Sequence, residues 1–352
     1  MLYPLKFRPL YKEKIWGGQS FKQIFDKDIP FSHTGEVWNV ACHNRGMSIV
    51  SEGRLKDKSL QYIFENFRQE LIGASYIDFD KFPLLIKLID AKERLSLQVH
   101  PQNEYARINE KGERGKSEMW YVLKAKKGAK LVVGLKDNIT KEQFEHAIKS
   151  GGAESCINEI TVKEGDIINI PAGLIHSIGE DIVLIEVQQN SDLVYRVFDW
   201  NRLDLDERPR MLHIKKALDV IDFKGRLKKE LIKGLSITND HNSITYYVAN
   251  PHFAVQKISL DFSLHEDTCG EKMIIYTGIS GTFSIKWNDT STIVGSGESV
   301  LIPASLGKFI IEGRGELIKS FIPDIVKDFV QPLKNAGYSE EEIFDNTAVT
   351  FE

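Results

Sequence analysis

The sequence predicts a mainly β protein: two β-sandwich barrels, with helices inserted between strands and placed at the chain ends. Three observations predict it: apolar runs of strand length, helical periodicity confined to short stretches between them, and an internal repeat. The runs are 82–89 (FPLLIKLI), 120–123 (WYVL), 130–134 (KLVVG), 167–170 (IINI) and 182–187 (IVLIEV). Each is rich in Val, Ile, Leu or aromatic residues and is bounded by Gly, Asp, Pro or Lys. Residues 59–72 instead space their apolar positions three and four apart behind a Ser59 cap. Residues 140–149 begin on Thr140, carry Gln143 at the capping-box position and run into Gly151 and Gly152. Further helices are expected at 214–220, 324–335 and 339–344.

The repeat matches 165–176 (GDIINIPAGLIH) with 297–308 (GESVLIPASLGK), at one constant offset for every matched position. In both, Gly and an acid precede a short apolar strand, then Ile-Pro-Ala, then a Leu three positions after the Pro. Such a repeat points to two copies of one structural unit, divided as 1–235 with helical insertions and 236–352 with C-terminal helices. The Gly and Pro that a turn requires are kept, but His176 becomes Lys308 and Gly173 becomes Ser305. The first copy is therefore read as the working one and the second as structural and metal-free.

Bulk properties narrow the class. Of 352 residues, 42% are hydrophobic and 27% charged, which fits a globular protein with a real core. A net charge of −4 gives neither a basic footprint for nucleic acid nor a polybasic membrane patch. The amino-terminal stretch MLYPLKFRPLYKEKIWGG scatters its charges as no signal peptide does, and no apolar run is long enough to span a bilayer. Cys42, Cys156 and Cys269 are far apart and odd in number, so three reduced structural thiols in a cytoplasmic protein are expected.

The chemistry concentrates in three segments. In LSLQVHP (95–101), Gln98 and His100 stand two apart, which on a strand points both to one face; Leu95, Leu97 and Val99 take the other. Pro101 holds His100 extended and ends the strand. In GKSEMWYVL (115–123), Lys116, Glu118 and Trp120 share a face, with Glu118 introducing the strand and so lying near a barrel mouth. IPAGLIH brings His176 in just after a Pro-x-Gly turn. Two neutral imidazoles and a carboxylate form the usual ligand set of a catalytic Zn²⁺, and Gln98 can add a carbonyl oxygen. The same ligands also suit Mn²⁺, Fe²⁺ or Co²⁺.

Gly165, Pro171, Gly173 and His176, spaced G-x5-P-x-G-x2-H, resemble the second signature of the cupin superfamily, which implies jelly-roll barrels. The first cupin signature has two His separated by one residue and a Glu a few residues on. Here Gln98 stands for the first His, and Glu118 lies much farther beyond His100 than that signature places its Glu. Those departures resemble the type I mannose-6-phosphate isomerases, whose zinc site is Gln, His, Glu, His. Residues 15–18 (IWGG), 35–40 (GEVWNV), 82–101, 171–179 and 186–200 (EVQQNSDLVYRVFDW) are similar to that family's blocks, particularly in its short bacterial branch. The resemblance is strong over 4–210 and thinner beyond.

It implies an enzyme interconverting mannose 6-phosphate and fructose 6-phosphate through an enediol, with one Zn²⁺ held by Gln98, His100, Glu118 and His176. It also implies Arg196, which follows Ser191–Asp192, as a catalytic or phosphate-binding cation. Lys116 should reach the same cavity. Glu186, an acid among apolar neighbours, is expected to have a raised pKa suited to proton transfer, and Asp192 to orient Arg196 or share that work. Trp16, Trp38 and Trp120 are read as core before sugar-pocket walls, and His33, His213 and His252 as ordinary residues. An iron-dependent cupin oxygenase would use three ligands, which Gln98 as a fourth disfavours. A non-catalytic sugar-binding module would not need Lys116, Glu186 and Arg196 beside a metal.

Overall fold

The computed structural model describes residues 2–77, 79–224, 229–239 and 241–351. It divides into two compact units: 1–10, 38–86 and 232–352 form one, and 11–37 with 87–231 form the other. A single cut near residue 235 does not describe this division, because the segments 1–10 and 38–86 group with the C-terminal part of the chain.

The unit of 11–37 and 87–231 is a two-sheet sandwich. One sheet orders its strands Ile157–Thr161, Lys130–Leu135, His176–Ile178, Leu97–Val99 and Tyr195–Phe198. The other runs Ile167–Ile170, Glu118–Ala125, Ile182–Gln189, Leu84–Ala91, Leu10–Gly18 and Thr34–Val40. Alternation along each strand divides the core in two. Trp120, Val122, Ile168 and Leu184 meet Leu131, Val133 and Ile178 between the sheets. Leu97, Val99, Val132 and Val197 point the other way, onto the helices Lys141–Lys149 and Ile214–Val220. Leu95 departs from the expected alternation: it lies before the strand and packs between the sheets.

The helix Lys141–Lys149 forms as its capping box requires. Thr140 Oγ1 accepts from Gln143 N at 3.3 Å, and Gln143 Oε1 from Thr140 N at 2.9 Å. Its buried Phe144, Ala147 and Ile148 lie on one face, and burying each large side chain contributes roughly 1.5–3 kcal/mol. The stretch 59–72 is two helices, Leu60–Asn66 and Arg68–Ile72, because Phe67 leaves helical geometry at φ −136° and ψ 36°; no Gly or Pro there signals the break. In 324–335, Val326–Val330 winds as a π-helix before Gln331–Asn335. Pro332 explains it, since it has no N–H for the carbonyl four residues back.

The other unit carries a 10-stranded sheet through which the repeat can be followed strand by strand. Ile167–Ile170 and Ser299–Ile302 occupy equivalent positions, and each follows a glycine at positive φ: Gly165 at 86°, Gly297 at 71°. In the first copy Ile170 pairs with Glu118, and Trp120 lies between Ile168 and Glu186. In the second, Ile302 pairs with Ile274, and Tyr276 lies between Val300 and Lys319. The place of Glu118 is thus taken by Ile274, besides that of His176 by Lys308. Where Gly173 has φ 90°, its counterpart Ser305 lies in the 3₁₀ turn Ala304–Leu306, which tolerates a side chain.

The protein is mainly β, as expected; among the described residues no sheet closes on itself, and in the unit of 11–37 and 87–231 the two sheets meet through side chains. No described helix is long and apolar enough to cross a membrane. None of the three cysteines forms a disulfide; Cys42 and Cys156 are buried, but Cys269 is exposed and so is no core thiol.

An added Cβ at Gly165 would meet nothing within 4 Å, so backbone conformation alone sets the cost of a substitution there. Gly165→Ala should destabilise by about 1–2 kcal/mol in denaturant unfolding, and Gly165→Asn by distinctly less, since Asn tolerates φ above zero. Equal losses would show that the turn's strain is not conformational.

Candidate metal centre and active site

Neighbouring strands bring the ligand candidates together. His176 pairs with Gln98 across one ladder, and Gln98 with Arg196 across the next. His176 is the first residue of its strand rather than a turn residue, because Gly173 has already reversed the chain and its N–H donates to the His100 carbonyl at 2.8 Å. Glu118 comes from the facing sheet. It is fully buried rather than at a mouth, since the strand that it opens is covered by the other layer.

The ligand atoms of His100, Glu118 and His176 all lie within 4.8 Å of one another. Glu118 Oε1 is 3.3 Å from His100 Nε2, and Oε2 is 3.8 Å from His176 Nε2. His176 Nδ1 donates to the Leu174 carbonyl at 2.8 Å, which leaves the Nε2 lone pair facing inward. Gln98, half-buried, places Nε2 3.3 Å from that atom. Burial lowers the pKa of both imidazoles, that of His100 to about 3 with help from the Lys116 charge. Both are therefore neutral at pH 7, the form that ligates. Burial resists the charge of Glu118, yet the Lys116 ammonium holds its pKa well below the usual carboxylate range.

Buried polar atoms without partners mark the same spot. Neither Glu118 oxygen has a well-formed hydrogen bond, although Lys116 Nζ stands 2.5 Å from Oε1. Lone pairs converging on one buried point, without donors enough to fill them, fit a divalent cation. Among the described residues this is the one group of three or more His, Cys, Asp or Glu able to hold a metal.

A second ion pair lies on the Glu118 sheet. Glu186 Oε1 is 3.0 Å from Lys87 Nζ, and Oε2 accepts from Trp120 Nε1 at 3.1 Å. Burial and the Glu118 charge raise the Glu186 pKa against the pull of Lys87 and Lys116. Glu186 is thus buried and not on a solvent face. Lys87 was missed in the sequence; a lysine inside LLIKLI was its one signal. Burial opposes its charge, but Glu186 keeps its pKa raised, and Asp192 adds to that pull.

Arg196 is half-buried, with Nη1 donating to the Met211 carbonyl at 2.9 Å and Nε to Ser96 Oγ at 3.3 Å. Those contacts orient it, whereas the charge of Asp192 bears on Lys87. Trp16 and Trp38 are core side chains. Trp120 is both core and site, its ring edge-on to His176 at 5.4 Å. His213 is no ligand: its Nδ1 accepts from the Arg196 backbone N–H at 3.3 Å.

Comparison with known proteins agrees with this geometry. The catalytic domain of type I phosphomannose isomerase matches residues 4–146, and the mannose-6-phosphate isomerase cupin domain matches 243–322. The mannose-6-phosphate isomerase ManA of Bacillus subtilis is 35% identical over 321 residues, covering 91% of this chain and 99% of that protein. A mannose-6-phosphate isomerase of Streptococcus mutans is 33% identical over 320 residues, covering 91% and 98%. The crystal structure of the mannose 6-phosphate isomerase from Bacillus subtilis superposes with a TM-score of 0.85 at 33% identity, covering 91% and 99%. The chain belongs to the type I mannose-6-phosphate isomerases, a family of aldose–ketose isomerases.

Proposed function

We propose that the chain interconverts mannose 6-phosphate and fructose 6-phosphate through an enediol intermediate, with one Zn²⁺ held by Gln98, His100, Glu118 and His176. The observation that carries this reading is the buried convergence of His100, Glu118 and His176 with unfilled lone pairs. When bound, the metal supplies Lewis-acid stabilisation of the negative charge that develops on O1 or O2 of the sugar.

The chain's own groups divide the remaining work. Moving a proton between C1 and C2 needs a base whose pKa is near the working pH, and burial has shifted Glu186 in that direction. Lys87 keeps its charge beside Glu186 and can balance the carboxylate as the proton leaves and returns. Lys116 places a cation beside Glu118, where it offsets charge on the substrate oxygens. Arg196, held by Met211 and Ser96, is the cation for the phosphate, which a guanidinium can grip with two donors. Asp192 acts through its charge on Lys87.

Two variants separate ligand from base. His176→Ala should leave less than one metal ion per chain and lower kcat by roughly 100-fold or more; bound metal with normal turnover would contradict the ligand assignment. Glu186→Gln should keep its metal, by elemental analysis, while kcat falls by roughly 10²–10⁴. Unchanged turnover there would remove Glu186 from proton transfer.

A further inference from the structure

Gln98 differs from the other groups at the centre in carrying an amide, which can meet a cation only with its oxygen. Here the nitrogen faces inward, 3.3 Å from the free Nε2 of His176. The oxygen faces outward and accepts from Ser96 Oγ at 3.4 Å. A cation on the His176 lone pair would take away the acceptor that holds the nitrogen in. The amide then has to turn over, placing Oε1 inward and Nε2 beside Ser96. A hydroxyl both donates and accepts, so it can satisfy Gln98 in either orientation; an apolar side chain there would leave the turned-out nitrogen unpaired.

Ser96 is built into place for that task. It is 3% exposed, and the residue before it is fastened on three sides. Leu95 N–H donates to the Ile178 carbonyl at 2.7 Å. The Leu95 carbonyl accepts from Ser177 Oγ at 2.7 Å and from Trp200 Nε1 at 2.6 Å. Ser96 Oγ also accepts from Arg196 Nε at 3.3 Å, and Arg196 is the ladder partner of Gln98. A serine serving only the strand would spend its hydroxyl on nearby backbone; this one joins two site side chains.

We propose that Ser96 is a positioning residue: when the Gln98 oxygen turns toward the metal, the Ser96 hydroxyl accepts from the outward-turned amide nitrogen and joins that amide to Arg196. The inference rests on the metal reading above and adds to it a residue that is not itself a ligand.

Metal affinity tests it without reference to turnover. Metal-free chains would be titrated with Zn²⁺ against a chromophoric chelator, with thermal melts of each as a check on folding. Ser96→Ala should melt as the wild type does but bind Zn²⁺ roughly 10-fold more weakly. Ser96→Thr, which keeps the hydroxyl, should bind as the wild type. In a Gln98→Leu background Ser96→Ala should cost nothing more, because the residue through which it acts is gone. Wild-type affinity in Ser96→Ala, equal losses in Ser96→Ala and Ser96→Thr, or losses that multiply in the double variant would each overturn the proposal. A wild-type chain that binds no Zn²⁺ would overturn the metal reading itself, and this inference with it.

Discussion

Keeping Glu118 ionised where no water reaches it is the constraint on which the site depends. A carboxylate taken out of water loses several kcal/mol of solvation unless charge and hydrogen bonds replace it. Lys116, two residues before Glu118, provides the charge, and the neutral imidazoles of His100 and His176 reach the same point from two other segments of the chain. The two sheets must pack in one register for the carboxylate and the two imidazoles to meet. The need to compensate buried charge also explains Lys87, a lysine buried only because Glu186 lies against it. Two carboxylates and two ammonium groups thus balance inside one apolar sandwich. The carboxylate pKa values are pushed in opposite directions, Glu118 down and Glu186 up. Such divergence is what the proposed roles, Glu118 as ligand and Glu186 as proton carrier, require.

The duplication shows how little of this the fold itself demands. The second copy keeps the glycine at positive φ, the short strand, the proline and the long partner strands. At the registers of Glu118 and His176 it has Ile274 and Lys308, and at that of Glu186 it has Lys319. There Lys319 pairs instead with Glu266, at 2.7 Å. The architecture survives these exchanges because its stability comes from the apolar positions between them, such as Val300, Ile302, Leu317 and Phe321. Among the described residues the candidate metal centre belongs to one copy alone.

Much of the fold and the core of the site were legible in sequence because they depend on local periodicity. Gln98 and His100 two apart, an acid opening an apolar strand, and Pro-x-Gly ahead of His176 are local signals, and they point to side chains that the structure brings together. Helices with strong caps, at 141–149 and 340–346, were equally readable. What was not legible depends on pairing between distant segments. Lys87 looks like an interruption in a core strand until Glu186 is set beside it, and Ser96 like filler until Arg196 and Gln98 flank it. The division into units was hidden for the same reason, since residues 38–86 group with a segment that begins only at 232. The break at Phe67 and the surface position of Cys269 leave no mark in composition.

The most direct measurement is conversion of mannose 6-phosphate to fructose 6-phosphate by the purified chain before chelation, after complete metal removal, and after Zn²⁺ is restored, with elemental analysis at each stage. The expected result is activity with about one ion per chain, loss on removal and recovery on restoration. Activity that persists in protein shown to be free of metal would contradict it.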